Sequence, residues 1–184
     1  MILVIHAHPY PSRSHAGRAL VEAIRPLPEV EVRSLYALYP DLDIDVAGEQ
    51  AALLRAELIV WLHPLYWYSV PSLLKHWFDK VLERGWAYGG GVALAGKHCL
   101  WVPTVGGAEA TYAPGQSNRQ PFASYVGPVE QTARFCGMEW LPPHVVFNSR
   151  VIPRADLAVQ GTRLRERLQA FIAERSGIPA GAAS

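Results

Sequence analysis

Short, uninterrupted apolar segments, separated by helical stretches, constrain the fold of this chain more than any other feature. Residues 1–5, 58–62 and 99–102 are apolar at every position and rich in Ile, Leu and Val. Such strands are typical of parallel sheets, in which helices cover both faces. The sequence therefore predicts an α/β architecture whose strands end at one functional edge.

The remaining elements follow from periodicity and from helix and turn signals. Apolar residues at helical spacing predict a helix from Ser14 to Pro26, with Ser12 or Ser14 available as its cap, and a second helix over 73–82, between Pro71 and Gly85. The further predictions are an edge strand over 30–33, a loop over 41–45, a short helix over 49–55, a helix from Pro128 through Phe135, a strand over 140–147 interrupted by Pro142 and Pro143, and a closing helix that contains Leu157, Leu164 and Leu168.

Alternation of strands and helices along the whole chain predicts three layers, with a five-stranded parallel sheet between helices on both faces. We expect the strand order 2-1-3-4-5. With 184 residues, of which 50% are hydrophobic, residues 1–176 are expected to form a single domain. Residues 177–184 are expected to form a frayed C-terminal tail.

Charge and composition exclude several classes of function. Seventeen basic and sixteen acidic residues give a net charge of +1, so the chain lacks the basic field that nucleic-acid binding requires. The apolar segments are far shorter than the roughly 20 residues of a membrane-spanning helix. The N-terminus lacks the pattern of a signal peptide, so we expect a cytoplasmic protein. In that reducing compartment, Cys99 and Cys136 are expected to be buried and unpaired.

Three loops follow strand ends and are the candidate binding segments. In open α/β sheets, ligands bind beyond the carboxyl ends of the strands, where the strand order reverses. Residues 8–17 follow the first strand, 63–68 the third and 104–112 the fourth. We therefore expect these loops to form one site.

The first loop, HPYPSRSHAG, has the chemistry of a phosphate cradle. It supplies the hydroxyls of Ser12 and Ser14, the imidazole of His8 and the free backbone N–H groups of a helix start. It is neither a dinucleotide-binding glycine motif nor a Walker loop. An alternative is that Ser14 only caps its helix and that His8 is a surface histidine.

The second and third loops have features of a site for a planar aromatic ligand. HPLYWYSVP places Trp67 between Tyr66 and Tyr68, where no core is expected. An aromatic plug or a subunit interface is the alternative. Gly106 and Gly107 allow a close backbone approach, and Tyr112 offers a hydroxyl donor. A phosphate cradle, an aromatic platform and backbone donors together suit flavin mononucleotide (FMN).

Longer sequence stretches carry a resemblance to a known family. These are HAHPYPSRSHAG, RSLYALYPDLDID, AELIVWLHPLYWYSVPSLLKHWFDKV, GWAYG, GKHCLW and FCGMEWLPP. Over nearly its whole length the chain resembles the flavodoxin-like NAD(P)H:quinone oxidoreductases, and especially the ancillary subunits of the Kef glutathione-gated potassium-efflux systems. The resemblance implies a flavodoxin-like fold.

The resemblance also implies roles for individual residues. The tyrosine thought to assist charge relay in larger relatives corresponds to Tyr112, which is the candidate catalytic residue. The relay histidine of those relatives is replaced by Asn118, which gains no proton at neutral pH. The implied cofactor contacts are His8, Ser14, His15, Ala16 and Gly17 for the phosphate and ribityl chain, Leu65, Tyr66, Trp67 and Tyr68 for the isoalloxazine ring, and Thr104, Val105, Gly106 and Gly107 for its pyrimidine edge.

The activity implied by the resemblance is a two-electron, ping-pong transfer of hydride from NAD(P)H to the flavin and then to a quinone. It also implies a homodimer and a potassium-efflux antiporter partner at the cytoplasmic face of the inner membrane. FAD is the alternative cofactor, but the short chain has no obvious adenine-binding segment, which favours FMN. No arginine is assigned to a 2′-phosphate, so the choice between NADH and NADPH stays open.

Two other interpretations compete with the reductase. His6 and His8 form an H-x-H pair on one face of a strand end, as in metal-dependent hydrolases, but the other histidines form no second motif. The second is a non-catalytic, flavin-binding regulatory subunit of a membrane transporter, which the sequence does not distinguish from an enzyme. A potassium-efflux gene beside this one would favour the transporter partner.

Overall fold

Five parallel strands form one sheet in the computed structural model, which describes residues 1–175. Their order is β2-β1-β3-β4-β5, as predicted. Val4 in β1 lies opposite Val32 in β2 and Val60 in β3, so the sheet is in register at its centre. The strands are β1 (Ile2–His6), β2 (Val30–Ser34), β3 (Leu58–Pro64), β4 (His98–Thr104) and β5 (Glu139–Leu141).

Helices cover both faces of the sheet, which confirms the flavodoxin-like three-layer architecture. The α-helices are α1 (His15–Ile24), α2 (Leu35–Leu38), α3 (Val46–Arg55), α4 (Ser72–Val81), α5 (Ala123–Phe135) and α6 (Arg154–Arg175). Buried residues of α1 and α6 pack on one face, whereas those of α3, α4 and α5 pack on the other. Two 3₁₀ turns, Pro11–Arg13 and Glu109–Tyr112, lie in loops at the carboxyl edge.

Alternation along the strands divides the apolar residues between two cores. Ile2 and Val4 face α1 and α6, whereas Leu3 and Ile5 face the opposite helices. Both sets are almost fully buried, which explains why the strand sequences show no polar alternation. Cys99 and Cys136 are buried and unpaired, as predicted.

One predicted helix start is wrong. Helix α5 begins at Ala123, so Pro128 lies inside it instead of at its first position. Proline in a helix interior removes one backbone hydrogen bond and costs about 3 kcal/mol. Packing overrides this cost, because Val129 and Ala133 of the same helix are buried in the core and Phe122, just before it, packs against that core.

The last strand is shorter than predicted. It ends at Leu141 because Pro142 and Pro143 have no N–H to donate. The chain nevertheless continues beside β4: the N–H of His144 donates to the carbonyl of Trp101 at 2.9 Å, and that of Val146 donates to Pro103 at 3.0 Å. The segment after the prolines is therefore held against β4 without being a regular strand.

The helix predicted over 49–55 begins three residues earlier, at Val46. The side chain of Asp45 accepts a hydrogen bond of 2.9 Å from the N–H of Gly48 and so caps the helix at its N-terminus. Helix α2 was not predicted, since it contains only four residues.

The predicted tail, 177–184, lies outside the described residues. Within residues 1–175, no helix has both the length and the apolar character that a membrane crossing needs.

Candidate functional site

Two adjoining cavities lie beyond the carboxyl ends of β1, β3 and β4. The first, about 620 Å³, is called here the aromatic cavity, and the second, about 460 Å³, the polar cavity. Both are lined by Leu65, Tyr66, Gly106 and Arg150. The aromatic cavity adds Trp67, Tyr68, Val105, Gly107 and Tyr112, whereas the polar cavity adds His8, Tyr10, Arg13, Ser14, His15, Ala16, Gly17, Pro64, Thr104 and Ser149.

Tyr112 and every residue in the implied set of cofactor contacts line at least one of these cavities. Ser12, whose hydroxyl was also expected in the phosphate cradle, lines neither: it is exposed in the 3₁₀ turn Pro11–Arg13. The residues assigned to the phosphate meet in the polar cavity, and the aromatic residues meet in the other, with Tyr112. Sequence reasoning missed Tyr10, Arg13 and Pro64, although they lie in the loops it selected. It also missed Ser149 and Arg150, which follow the last strand.

Backbone hydrogen bonds explain how this distant segment reaches the site. The N–H of Ser149 donates to the carbonyl of Val105 at 2.9 Å, and the N–H of Asn148 donates to that of Gly107 at 3.0 Å. The loop after β4 and the segment before α6 therefore form one wall, with Arg150 at its end. No local sequence signal marks this pairing.

The start of helix α1 forms the floor of the polar cavity. Ser14 is the N-cap residue, yet its side chain makes no capping hydrogen bond. Its hydroxyl is buried and has no hydrogen-bond partner among the described residues. A β-carbon on Gly17 would lie 2.6 Å from this oxygen, so only glycine leaves the space above it open. The alternative in which Ser14 merely caps its helix is therefore not what the structure shows.

The imidazole of His8 is oriented by the backbone. Its Nδ1 accepts a hydrogen bond of 3.0 Å from the N–H of Tyr10, so the neutral ring carries its proton on Nε2. Burial lowers the pKa of His8. His8 is half-buried at the cavity wall and is available as a neutral donor.

The charges around the site have one sign. Arg13 and Arg150 line the cavities together with His8 and His15, whereas no aspartate or glutamate among residues 1–175 lines either cavity. The free N–H groups of the first turn of α1 add the positive end of the helix dipole. The polar cavity is therefore suited to an anionic group.

A strained turn presents the aromatic residues. The backbone N–H and carbonyl groups of Tyr66 and Ser69 bond to each other at 3.0 Å, and both residues between them, Trp67 and Tyr68, have positive φ angles of 47° and 62°. Two such non-glycine residues cost on the order of 1–3 kcal/mol each. Trp67 is 91% exposed at the tip of this turn, so it does not plug the core.

Asn118 links this turn to the loop after β4. Its Oδ1 accepts a hydrogen bond of 3.2 Å from the hydroxyl of Tyr68, while its Nδ2 donates to Oγ1 of Thr111 at 2.8 Å. The ring of Tyr68 stacks on Tyr125, with 5.0 Å between the ring centroids. Asn118 therefore holds the aromatic wall in place by hydrogen bonds that do not depend on a titrating proton.

Tyr112 stands at the far wall of the aromatic cavity. Its ring packs edge-on against Phe122 and Tyr125. Burial raises the pKa of Tyr112, with Tyr68 and Tyr125 adding to the effect. The hydroxyl makes no hydrogen bond within residues 1–175, so it is free to donate to a ligand.

The H-x-H pair has separate surroundings for its two rings. His6 is buried, and its Nδ1 lies 3.2 Å from the hydroxyl of Ser34, whereas His8 bonds to Tyr10. Burial lowers the pKa of His6 to about 4. Within the described part of the chain, no three His, Cys, Asp or Glu side chains are grouped as a metal site requires.

The sequence of this chain matches a known protein family. The family described as having a flavodoxin-like fold matches residues 1–168. The chain belongs to the flavodoxin-like family. A relative in this family is the glutathione-regulated potassium-efflux system ancillary protein KefF of Salmonella typhi, which is 52% identical over 172 residues, or 93% of this chain and 97% of that protein.

Solved structures of similar flavodoxin-like chains extend the comparison. General stress protein 14 of Treponema denticola, in complex with FMN, has a TM-score of 0.87 and 34% identity, covering 92% of this chain and 98% of that one. An NADPH-quinone reductase of P. pentosaceus has a TM-score of 0.83 and 28% identity, and the match covers 91% of this chain and 96% of that one. A structure named as a thermophilic tryptophan halogenase of Streptomycin violaceusniger has a TM-score of 0.86 and 38% identity, and the match covers 90% of this chain and 97% of that one.

Proposed function

We propose that this protein is an FMN-dependent NAD(P)H:quinone oxidoreductase. One observation carries the proposal: a cavity with a buried Ser14 hydroxyl at a helix start, which has no partner within residues 1–175, adjoins a cavity walled by Tyr66, Trp67 and Tyr68. The pair fits a molecule with an anionic end and a planar aromatic end. The FMN complex of a relative with 34% identity supports the same cofactor.

Residues of the polar cavity would hold the phosphate. Ser14 Oγ and the N–H groups of His15, Ala16 and Gly17 are donors from residues that line this one cavity, and Arg13 adds a charge. His8 adds an Nε2 donor. The remaining predicted contacts, Leu65, Thr104, Val105, Gly106 and Gly107, would surround the ring and its pyrimidine edge.

Bound FMN supplies the exchange of two electrons, from NAD(P)H to a quinone, with the two substrates using the same face in turn. The residues of this chain would bind the cofactor, orient the substrates and shield the site. The turn with Trp67 and Tyr68 flanks the substrate space, and Asn118 fixes that turn. The hydroxyl of Tyr112, whose pKa is raised by burial, donates a hydrogen bond. Asn118 does not titrate, so it would not serve as the imidazole relay of the larger relatives.

The name of the Salmonella relative supports a second role, as an ancillary subunit of a potassium-efflux system. We propose that the chain acts as a homodimer beside such an antiporter, at the cytoplasmic face of the inner membrane. The alternative is a regulatory subunit that binds flavin without turnover. One similar structure is named as a tryptophan halogenase, but a shared fold does not imply a shared activity, because one fold hosts many unrelated functions.

The decisive experiment is an absorption spectrum of the purified protein, loaded with FMN, before and after anaerobic NADPH. The reductase predicts flavin bands that bleach and then return when a benzoquinone is added. Bands that persist with both NADPH and NADH would favour the regulatory subunit. A protein that takes up no flavin would overturn the proposed function.

A further inference from the structure

Arg150 occupies the junction of the two cavities. It is the only charged side chain that lines both of them among the described residues. Within residues 1–175 its guanidinium forms neither a hydrogen bond nor an ion pair. A permanent positive charge without a protein partner is thus placed where the anionic and the aromatic parts of the site meet.

The surroundings of Arg150 place it beside the loop assigned to the pyrimidine edge. Its Nε lies 3.2 Å from the point where a β-carbon on Gly106 would stand. Its charge also reaches Tyr66, where it acts to lower the hydroxyl pKa against the dominant effect of burial. The backbone bonds of Asn148 and Ser149 hold the adjoining chain in this position.

The second arginine of the site lies elsewhere. Arg13 lines only the polar cavity, and its guanidinium lies 5.7 Å from the ring centre of Tyr10. The polar cavity suits the phosphate of FMN, and the charge of that phosphate is the same whether the isoalloxazine ring is oxidised or reduced. A cation beside the phosphate stabilises both forms equally, whereas a cation beside the ring distinguishes them.

We propose that Arg150 sets the redox balance of the bound cofactor by favouring its reduced form. This inference rests on the proposed function. Hydride transfer from a dihydronicotinamide breaks one C–H bond, forms one N–H bond on the ring and carries two electrons. The ring then gains one negative charge and the nicotinamide becomes a cation. A guanidinium beside the ring therefore stabilises the product of this step more than its reactant.

The test compares three variants of the full chain, each loaded with FMN. Arg150→Met removes the charge and keeps the length, Arg150→Lys keeps a charge, and Arg13→Met removes the charge of the polar cavity. The readouts are the midpoint potential, from reductive titration against a reference dye, and the dissociation constant of oxidised FMN. Neither readout depends on turnover.

For Arg150→Met, we expect the preference for reduced over oxidised flavin to fall about tenfold, which is the effect of a partly screened unit charge. A tenfold change equals about 30 mV in a two-electron couple. Arg150→Lys keeps most of the parent potential. Arg13→Met weakens FMN binding and leaves the potential in place. Raising the ionic strength reduces the difference between Arg150→Met and the parent.

Two outcomes would overturn the inference alone: Arg150→Met with the parent potential, or Arg13→Met with an equal fall. In both cases the parent protein still binds FMN, so the proposed function stands. A parent protein that binds no FMN would overturn the proposed function and, with it, this role of Arg150.

Discussion

The hydroxyl oxygen of Ser14 lies 2.6 Å from the position that a β-carbon on Gly17 would occupy. Because of this short distance, the position of the Ser14 hydroxyl depends on the absence of a side chain at Gly17. Glycine at position 17 keeps the hydroxyl in place and leaves room above the first turn of α1. An added methyl group must move Ser14, since real β-carbon contacts are not this short.

Gly17→Ala is therefore expected to weaken FMN binding by at least about tenfold, since a hydrogen bond to a charged group is worth about 1.5–3 kcal/mol. Fluorescence titration of FMN measures the change. Gly127→Ala is the matched control, because it lies in α5 with open space around it and should bind FMN like the parent. Equal dissociation constants for both variants would remove Ser14 and Gly17 from the phosphate site.

Tyr112→Phe is expected to retain FMN and to slow its reduction by NADPH. The ring still packs on Phe122, so the cavity keeps its shape, but the free hydroxyl is lost. Anaerobic stopped-flow absorption measures the rate. Tyr125→Phe is the control, because the hydroxyl of Tyr125 already bonds to the carbonyl of Asn118 at 3.5 Å. A Tyr112→Phe rate equal to that of the parent shows that the hydroxyl takes no part.

The carboxylate of Glu49 is expected to be the most sensitive polar group in the fold. It is fully buried, and it accepts hydrogen bonds from Arg33 at 2.8 Å, Tyr39 at 2.6 Å and Trp77 at 2.8 Å. Glu49→Ala leaves Arg33 without its buried partner and should lower the free energy of unfolding by about 3–5 kcal/mol. Urea denaturation measures this.

Glu31→Ala is the control for that network. Glu31 also contacts Arg33, at 3.4 Å, but its side chain is partly exposed, so its loss should cost about 1 kcal/mol or less. Similar losses in the two variants would contradict the assignment of Glu49 as the centre of the network.

Stability is expected to fall as the pH is lowered from 6.5 to about 4. Burial lowers the pKa of His63 to about 4 in the folded protein, against 6.5 when unfolded. In that window the unfolded state binds more protons than the folded state, so acid favours unfolding, by up to about 3 kcal/mol for one such group. A proton on Nε2 of His63 would also abolish a local contact, because this nitrogen accepts the indole N–H of Trp101 at 2.7 Å.

His63→Gln should flatten this pH dependence, since an amide oxygen can accept the indole N–H without titrating. The slope is reduced and not removed, because burial also lowers the pKa values of His6 and His144 to about 4. Thermal unfolding across pH 4–7 measures the dependence of stability on pH. His76→Gln, on α4, is the control and should keep the full slope. A His63→Gln slope as steep as the parent's would exclude His63 as the cause.

Most of the fold could be predicted from local patterns. The segments 2–5, 58–62 and 99–102 are buried on both faces of the sheet and are apolar at every position, so β1, β3 and β4 stand out in the sequence. The failures lie where packing opposes a local rule. Pro128 marks a helix start in isolation, but Val129 and Ala133 bury enough surface to hold α5 around it.

The candidate site could be predicted in its loops and not in its geometry. The hydrogen bond between Tyr68 and Asn118 joins residues 50 positions apart, which no spacing rule reveals. The positive φ angles of Trp67 and Tyr68 were equally hidden, since neither residue is glycine. The position of Arg150 depends on backbone bonds from Ser149 to Val105, after a strand that two prolines cut short.

The sequence by itself determined the layers and the three loops at the carboxyl edge, because burial and helix periodicity act over short distances along the chain. Only the tertiary structure decided that Ser14 has no hydrogen-bond partner in the described part of the chain, that Asn118 anchors Tyr68 and that Arg150 joins the two cavities. These relationships depend on where distant backbone segments pair, and that pairing is fixed only when the two cores are packed.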